Sequence, residues 1–274
     1  MRLLDVLNST TEFFTKKGVP SARLQAEFLL SKTLKLPRLQ LYLQFDREMA
    51  PEELDELRPL VKRRGQREPL QYILGTVEFY GLELEVTPSV LIPRPETELL
   101  IEKLQIRFPN GPGSLAYDVG TGSGAIALAL AKIWPQTKIV GIDASPEALA
   151  VAKQNQQRHP ELRVEWREDH LLSSQTEPAA LVVGNLPYLT QAEMDSLEPE
   201  VRQEPPSALL GGRDGMDLIR ELIPQAALLC STIALEIGIA QGDETIALLK
   251  QSGFTDSSVA VDLLGHQRFG FGTR

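Results

Sequence analysis

The segment "LVVGNLPYLT" (181–190) runs from apolar residues through a glycine into Asn185-Leu186-Pro187-Tyr188. An asparagine closing an apolar run, with proline and tyrosine after it, suits either a turn or a clamp for a planar –NH2 group. The nitrogen of an amide or an adenine amino group is a poor nucleophile, because its lone pair is delocalised into the adjoining π-system. Two acceptors aimed at its N–H bonds push density back onto nitrogen and favour pyramidal geometry. The Asn185 side-chain oxygen and a following backbone carbonyl, that of Leu186, supply both, while Pro187 biases Leu186 toward extended backbone. Tyr188 then packs on the planar face. Positioning and electrostatics carry such a displacement, and the chemistry calls for no metal.

"DVGTGSGAIALAL" (118–130) is the second candidate. Gly120, Gly122 and Gly124, with Thr121 and Ser123 between them, let backbone turn sharply and approach a ligand closely. With Ala125 the spacing also permits a dinucleotide. Asp143, about twenty residues further on, is placed to accept from ribose hydroxyls, which suits NAD and S-adenosylmethionine equally. Asp118 discriminates. A pyrophosphate on the loop would be repelled by so near a carboxylate, whereas the ammonium of a methionine moiety would be attracted. The expected cofactor is therefore S-adenosylmethionine, with Asp118 facing its amino group.

These residues need elements to hold them. Residues 1–68 read as a small helical bundle. Leu54, Leu57, Leu60 and Val61 form one stripe, Ser21 is a candidate N-cap, and Gly18 a candidate helix stop. Residues 69–89, rich in β-type residues and broken by Gly75 and Gly81, read as a linking hairpin. From 90 to 274, a helix opening on "PETELL" precedes strands alternating with helices. The expected fold is α/β, a Rossmann-like, mainly parallel sheet with an antiparallel C-terminal edge pair around Gly265-His266. The strands "SLAYDV", "KIVGID" and "AALVVGN" put the glycine loop, Asp143 and Asn185 at one edge of that sheet.

Composition narrows the class. The chain has 42% hydrophobic and 24% charged residues, as in an ordinary globular protein, and no apolar run of membrane-spanning length. The N-terminus lacks a signal-peptide core, and the single cysteine, Cys230, permits no internal disulfide, so a cytoplasmic location is expected. The net charge of −9 is uneven: residues 1–80 carry 13 basic against 11 acidic side chains, leaving 15 against 26 in the remainder. An acidic main body argues against a protein lying along a nucleic-acid backbone. The one basic run, "VKRRGQR" (61–67), reads as a solvated helix end.

Taken together, the strand–"DVGTGSG"–helix arrangement, the Asp143 strand end and "GNLPY" resemble the class I amino-methyltransferases that carry an Asn-Pro-Pro-Tyr motif. "EPLQYILGTVEFYG", "LIPRPETELL" and "LLGGRDGMDLIREL" (209–222) resemble one branch, the peptide chain release factor glutamine methyltransferases, over essentially the whole chain. The resemblance implies methylation of the side-chain amide of the Gly-Gly-Gln glutamine in release factors, with the helical domain contacting the factor and no membrane partner. It maps the donor loop to Gly120–Gly124, the ribose acid to Asp143, and the amide clamp to Asn185, Leu186, Pro187 and Tyr188. It also sets His170, in "EDHLL", where relatives often carry an aromatic near the adenine. Leu186 departs from the pattern, standing where the motif has its first proline.

Two rivals share these residues: an adenine-N6 methyltransferase, whose target is also a planar –NH2, and a binding module that has lost its chemistry. Arg94, Glu96 and Glu98 are candidates for lining either the donor pocket or the glutamine channel. Trp134, Trp166 and Cys230 read as packing residues. His159 and His266 show no metal-ligand spacing, so no metal site is expected. A monomer is expected.

Overall fold

The computed structural model describes residues 1–274 and contains two compact units, Met1–Thr76 with Glu198–Gln203, and Val77–Leu197 with Glu204–Arg274. In the first, helices α1 (Leu3–Lys16), α2 (Ala22–Leu34), α3 (Arg38–Tyr42), α4 (Pro51–Gly65) and α5 (Leu70–Leu74) surround one core. Helix α1 turns Leu3, Val6, Leu7 and Phe14 inward, the spacing of one helical face. It stops where Gly18 takes φ +69° and the Val19 N–H returns to the Phe14 carbonyl. Ser21 occupies the N-cap position of α2, but it sits in left-handed backbone and makes no capping bond.

The linking segment corrects the expectation of a hairpin from 69 onward. Residues 70–74 form α5, pinned between Pro69 and left-handed Gly75, and Leu70, Ile73 and Leu74 join the helical core. The hairpin is confined to β1 (Thr76–Phe79) and β2 (Leu82–Glu85). Its turn places both Tyr80 (φ 50°) and Gly81 (φ 66°) in the left-handed region, as a two-residue hairpin turn of matching twist requires.

The second unit begins its α/β portion with α6 (Pro95–Arg107), opened by a proline at its first position. There follow β3 (Leu115–Val119), α7 (Ala125–Ile133), β4 (Lys138–Asp143), α8 (Pro146–Arg158), β5 (Val164–Glu168), β6 (Ala179–Asn185) and α9 (Gln191–Ser196). α10 (Asp217–Leu229), β7 (Cys230–Glu236), α11 (Gly242–Gln251), β8 (Asp256–Val261) and β9 (Gln267–Thr273) complete it. The seven-stranded sheet has the order β5-β4-β3-β6-β7-β9-β8, parallel through β7 and antiparallel at β9 and β8. Helices α6 and α7 cover one face and α10 the other, so every residue of β3 is buried. Since β3 lies between β4 and β6, the chain leaves it for opposite directions, and a crevice opens at the carboxyl ends of these strands. No helix is long and apolar enough to cross a membrane.

Candidate active site

The crevice is a cavity of about 350 Å³, within the range of small-molecule sites. Gly120, Thr121, Gly122 and Ser123 form one wall, Asp143 and His170 another, and Asn185, Leu186 and Pro187 a third. The loop is shaped by φ values of +71°, +55° and +82° at Gly120, Gly122 and Gly124. At Gly120 a Cβ would also lie 2.9 Å from Leu186 Cδ2. The leucine in the motif thus packs against the glycine loop as well as offering its carbonyl.

Asp143 binds the loop from the side: its Oδ2 accepts from the Gly122 N–H at 2.8 Å and its Oδ1 from the Ser145 N–H at 2.9 Å. Burial raises its pKa, against the pull of those N–H donors. This geometry decides between the cofactors. An N–H that a pyrophosphate would use already serves a carboxylate, and the lining cation Arg94 is paired with Glu204. Both pairings withdraw partners that a pyrophosphate would need, which favours a donor with no phosphate.

Asp118 requires a correction, because it does not face the cavity. It is fully buried behind the loop, where Oδ2 accepts from Thr121 Oγ1 (2.6 Å) and the Ala127 N–H (2.9 Å). Its Oδ1 has no hydrogen-bond partner. Burial, with Asp143 nearby, pushes its pKa up to about 7. Asp118 thus orients the loop and the start of α7 from behind. Gly124 likewise faces away, against Trp166 and Ala152.

His170 stands on the cavity wall with its Nε2 3.0 Å from Glu221 Oε1. Beside it, Asp169 also lines the cavity. Burial opposes the Asp169 charge, but Ser173, Gln175 and Ser174 donate to it and take its pKa down to about 2.

At the motif, Asn185 Nδ2 donates to Thr97 Oγ1 at 3.1 Å, and that hydroxyl donates to Glu236 Oε2 at 2.6 Å. Tyr188 does not line this cavity. It borders an adjoining one of about 400 Å³, with its hydroxyl 3.3 Å from Glu236 Oε1. Burial and the Glu236 charge push the phenol up to about 12. Of the "RPETE" acids, Glu98 accepts from the Tyr80 N–H and caps the hairpin, while Arg94 lines the donor cavity.

Four supporting residues escape a reading of the sequence alone. Thr97 lies within "RPETE" but looks like helix-capping filler. Glu236 ends the apolar strand β7 as Asp143 ends β4, and that parallel was the available signal. Fully buried Asn155 on α8 donates to the carbonyls of Ser123 and Glu85, tying the loop to β2. Glu204 accepts from the Ile92 N–H and from Arg94, which fixes the wall at 89–94; no local pattern marks it.

A Rossmann-like sheet with a glycine loop, a strand-end acid and an asparagine at the switch point defines a methyltransferase of the class I type. Residues 116–203 match a methyltransferase domain and residues 5–75 a PrmC N-terminal domain. Among solved structures, the T. thermophilus 16S rRNA N2 G1207 methyltransferase RsmC shares the fold. Its TM-score is 0.54 at 18% identity, covering 73% of this chain and 49% of that one. A Pyrococcus furiosus methyltransferase does so at TM-score 0.51 and 17% identity, covering 70% and 87%. The release factor glutamine methyltransferase of Geobacter sulfurreducens is 44% identical, covering 96% of this chain and 93% of its own. That of Koribacter versatilis is 38% identical, covering 98% and 97%. The chain belongs to the release factor glutamine methyltransferase family.

Proposed function

We propose that this enzyme transfers a methyl group from S-adenosylmethionine to the side-chain amide nitrogen of the Gly-Gly-Gln glutamine of peptide chain release factors. The observation that carries the reading is Asn185 on the wall of the same cavity as the glycine loop and Asp143. When bound, S-adenosylmethionine would supply an electrophilic methyl group on a cationic sulfonium; the amide nitrogen would bond to that carbon as the C–S pair stays on sulfur, leaving a neutral thioether, and the surplus amide proton would pass to solvent.

The chain's own groups do the positioning. Gly120–Ser123 shape the donor wall, Asp143 keeps lone pairs for the ribose hydroxyls, and His170 offers a flat face at the cavity wall. Asn185 Oδ1 and the Leu186 carbonyl accept the two amide N–H bonds, which pushes electron density onto the nitrogen and favours the pyramidal geometry in which its lone pair is free to attack. Tyr188 stands outside the donor cavity, its hydroxyl tied to Glu236, and in this reading its ring bounds the approach of the incoming side chain from the adjoining cavity. Each contribution is one of orientation and charge placement, the kind that converts a weak nucleophile into a competent one.

The helical unit is assigned to release-factor contact. The enzyme is proposed to be a cytoplasmic monomer that does not bind nucleic acid directly. The basic run supports this. Arg63 is paired with Glu68, and both Arg64 and Arg67 with Glu200, so the cluster is spent internally. Methyl transfer from radiolabelled donor to a release factor, its Gln→Ala loop variant, and adenine-containing DNA and RNA tests the assignment. Label on the wild-type factor alone is expected. Label on nucleic acid alone would keep the clamp chemistry and overturn the substrate.

A further inference from the structure

An asparagine side chain is nearly symmetric in shape and opposite in polarity at its two ends. Rotated by half a turn, Asn185 would present N–H groups to the substrate's N–H groups and repel them. Something must hold the oxygen end forward, and two residues outside the motif do so. Thr97 is the third residue of α6 and Glu236 the last of β7; they are 4% and 1% exposed. Glu236 stands directly across the parallel β6–β7 pair from Asn185.

The polarity follows by counting hydrogens. Burial raises the Glu236 pKa, while Thr97, the Arg268 charge and Tyr188 all favour its ionised form. In that form the carboxylate only accepts, and a threonine hydroxyl has one hydrogen. That hydrogen is committed to Glu236 Oε2 at 2.6 Å. The face of Thr97 Oγ1 turned to Asn185, 3.1 Å away, is therefore a lone pair, which only the amide NH2 satisfies. Asn185 Oδ1 is left on the opposite side. The second oxygen of the same carboxylate accepts from Tyr188 at 3.3 Å, so one buried group orders both ends of the motif.

We propose that Thr97 and Glu236 are positioning residues that set the polarity of the Asn185 amide, with Glu236 also anchoring Tyr188. The proposal rests on the assignment of Asn185 as the amide clamp. Its role is to keep the acceptor oriented before substrate arrives, so its loss acts on the methyl-transfer rate and leaves the affinity for donor in place.

The test compares Thr97→Val, which removes both the lone pair and the hydrogen with little change of shape, with Thr97→Ser, which keeps them. Single-turnover methylation of a release factor should slow at least about ten-fold in Thr97→Val and recover to within about three-fold in Thr97→Ser. Donor affinity by calorimetry should stay within about three-fold in both, which also reports that the cavity is folded. In an Asn185→Ala background, Thr97→Val should add less than about two-fold, since no amide remains to be oriented. A wild-type rate in Thr97→Val, a loss confined to donor affinity, or a loss that multiplies with that of Asn185→Ala would overturn the relay. A wild-type rate in Asn185→Ala alone would overturn the clamp itself, and the relay with it.

Discussion

Asp118 is a single residue whose chemistry differs most from its ordinary behaviour. An unfolded aspartate titrates near 3.8, and burial carries it to about 7 in the fold. The folded state therefore holds a proton that the unfolded chain has released over that interval. The resulting stability is complete below the lower value and is lost as pH rises through the upper one. At about 1.4 kcal/mol per pKa unit, the ceiling on the effect is roughly 4 kcal/mol. Asp118→Asn keeps the shape without the charge, so urea denaturation between about pH 4 and pH 8 should show wild type losing stability relative to the variant. Parallel curves would mean that the orphan oxygen finds a partner in solution. At this scale the sequence was legible where chemistry coincides with a strand end: Asp143 and Asn185 stand out because apolar runs stop on them. The side on which Asp118 lies was not legible, because spacing along a chain says nothing about whether a carboxylate faces a loop's ligand or its back.

Strands β4 and β5 show how an element tunes a loop it does not contain. Gly141 in β4 is paired with Trp166 in β5, and a Cβ at Gly141 would lie 2.4 Å from the indole. The same ring would lie 2.8 Å from a Cβ at Gly124, and its Nε1 donates to Gln156 of α8. The half-buried indole thus packs against strand, loop and helix at once. Gly141→Ala should cost about 1–3 kcal/mol of stability by overpacking. It should also weaken donor binding several-fold by calorimetry, with turnover at saturating donor near wild type. Unchanged affinity would show that the ring moves without taking the loop along. Helices α4, α6, α7 and α8 were readable from an apolar stripe, an apolar run or a proline or serine start, whereas α10 and α11 were not singled out. The linking segment is instructive: "LQYIL" contains β-type residues, yet five residues are too few to separate a period of 2 from one of 3.6. Pro69 and left-handed Gly75 settle it as a helix, with Ile73 drawn into the helical core.

For the molecule as a whole, the basic run at 61–67 is the place where sequence reasoning and structure part most clearly. A solvated helix end was expected, but Arg64 is 1% exposed, donating to Gln25, the Glu68 carbonyl and Glu200. No local pattern could have announced this, because the partner carboxylate lies 136 residues away. Burial opposes the Glu200 charge, but Arg67 and Arg64 together hold its pKa below the usual value. Removing one member of a buried ion pair leaves the other uncompensated, so Glu200→Ala should lower the stability of the helical unit by about 3 kcal/mol. Hydrogen exchange in α4 measures this directly, and protection equal to wild type would show that Arg64 finds another partner.

The long separation of Arg64 from Glu200 also has a consequence in time. A ribosome makes the chain from its N-terminus at roughly 5–20 residues per second, so Glu200 is added on the order of ten seconds after Arg64. During that interval the guanidinium can meet Gln25 and the Glu68 carbonyl, but its charge waits for the Glu200 carboxylate. The helical unit, first to emerge, is therefore completed only once Glu198–Gln203 has been made, after β3 to β6 of the other unit.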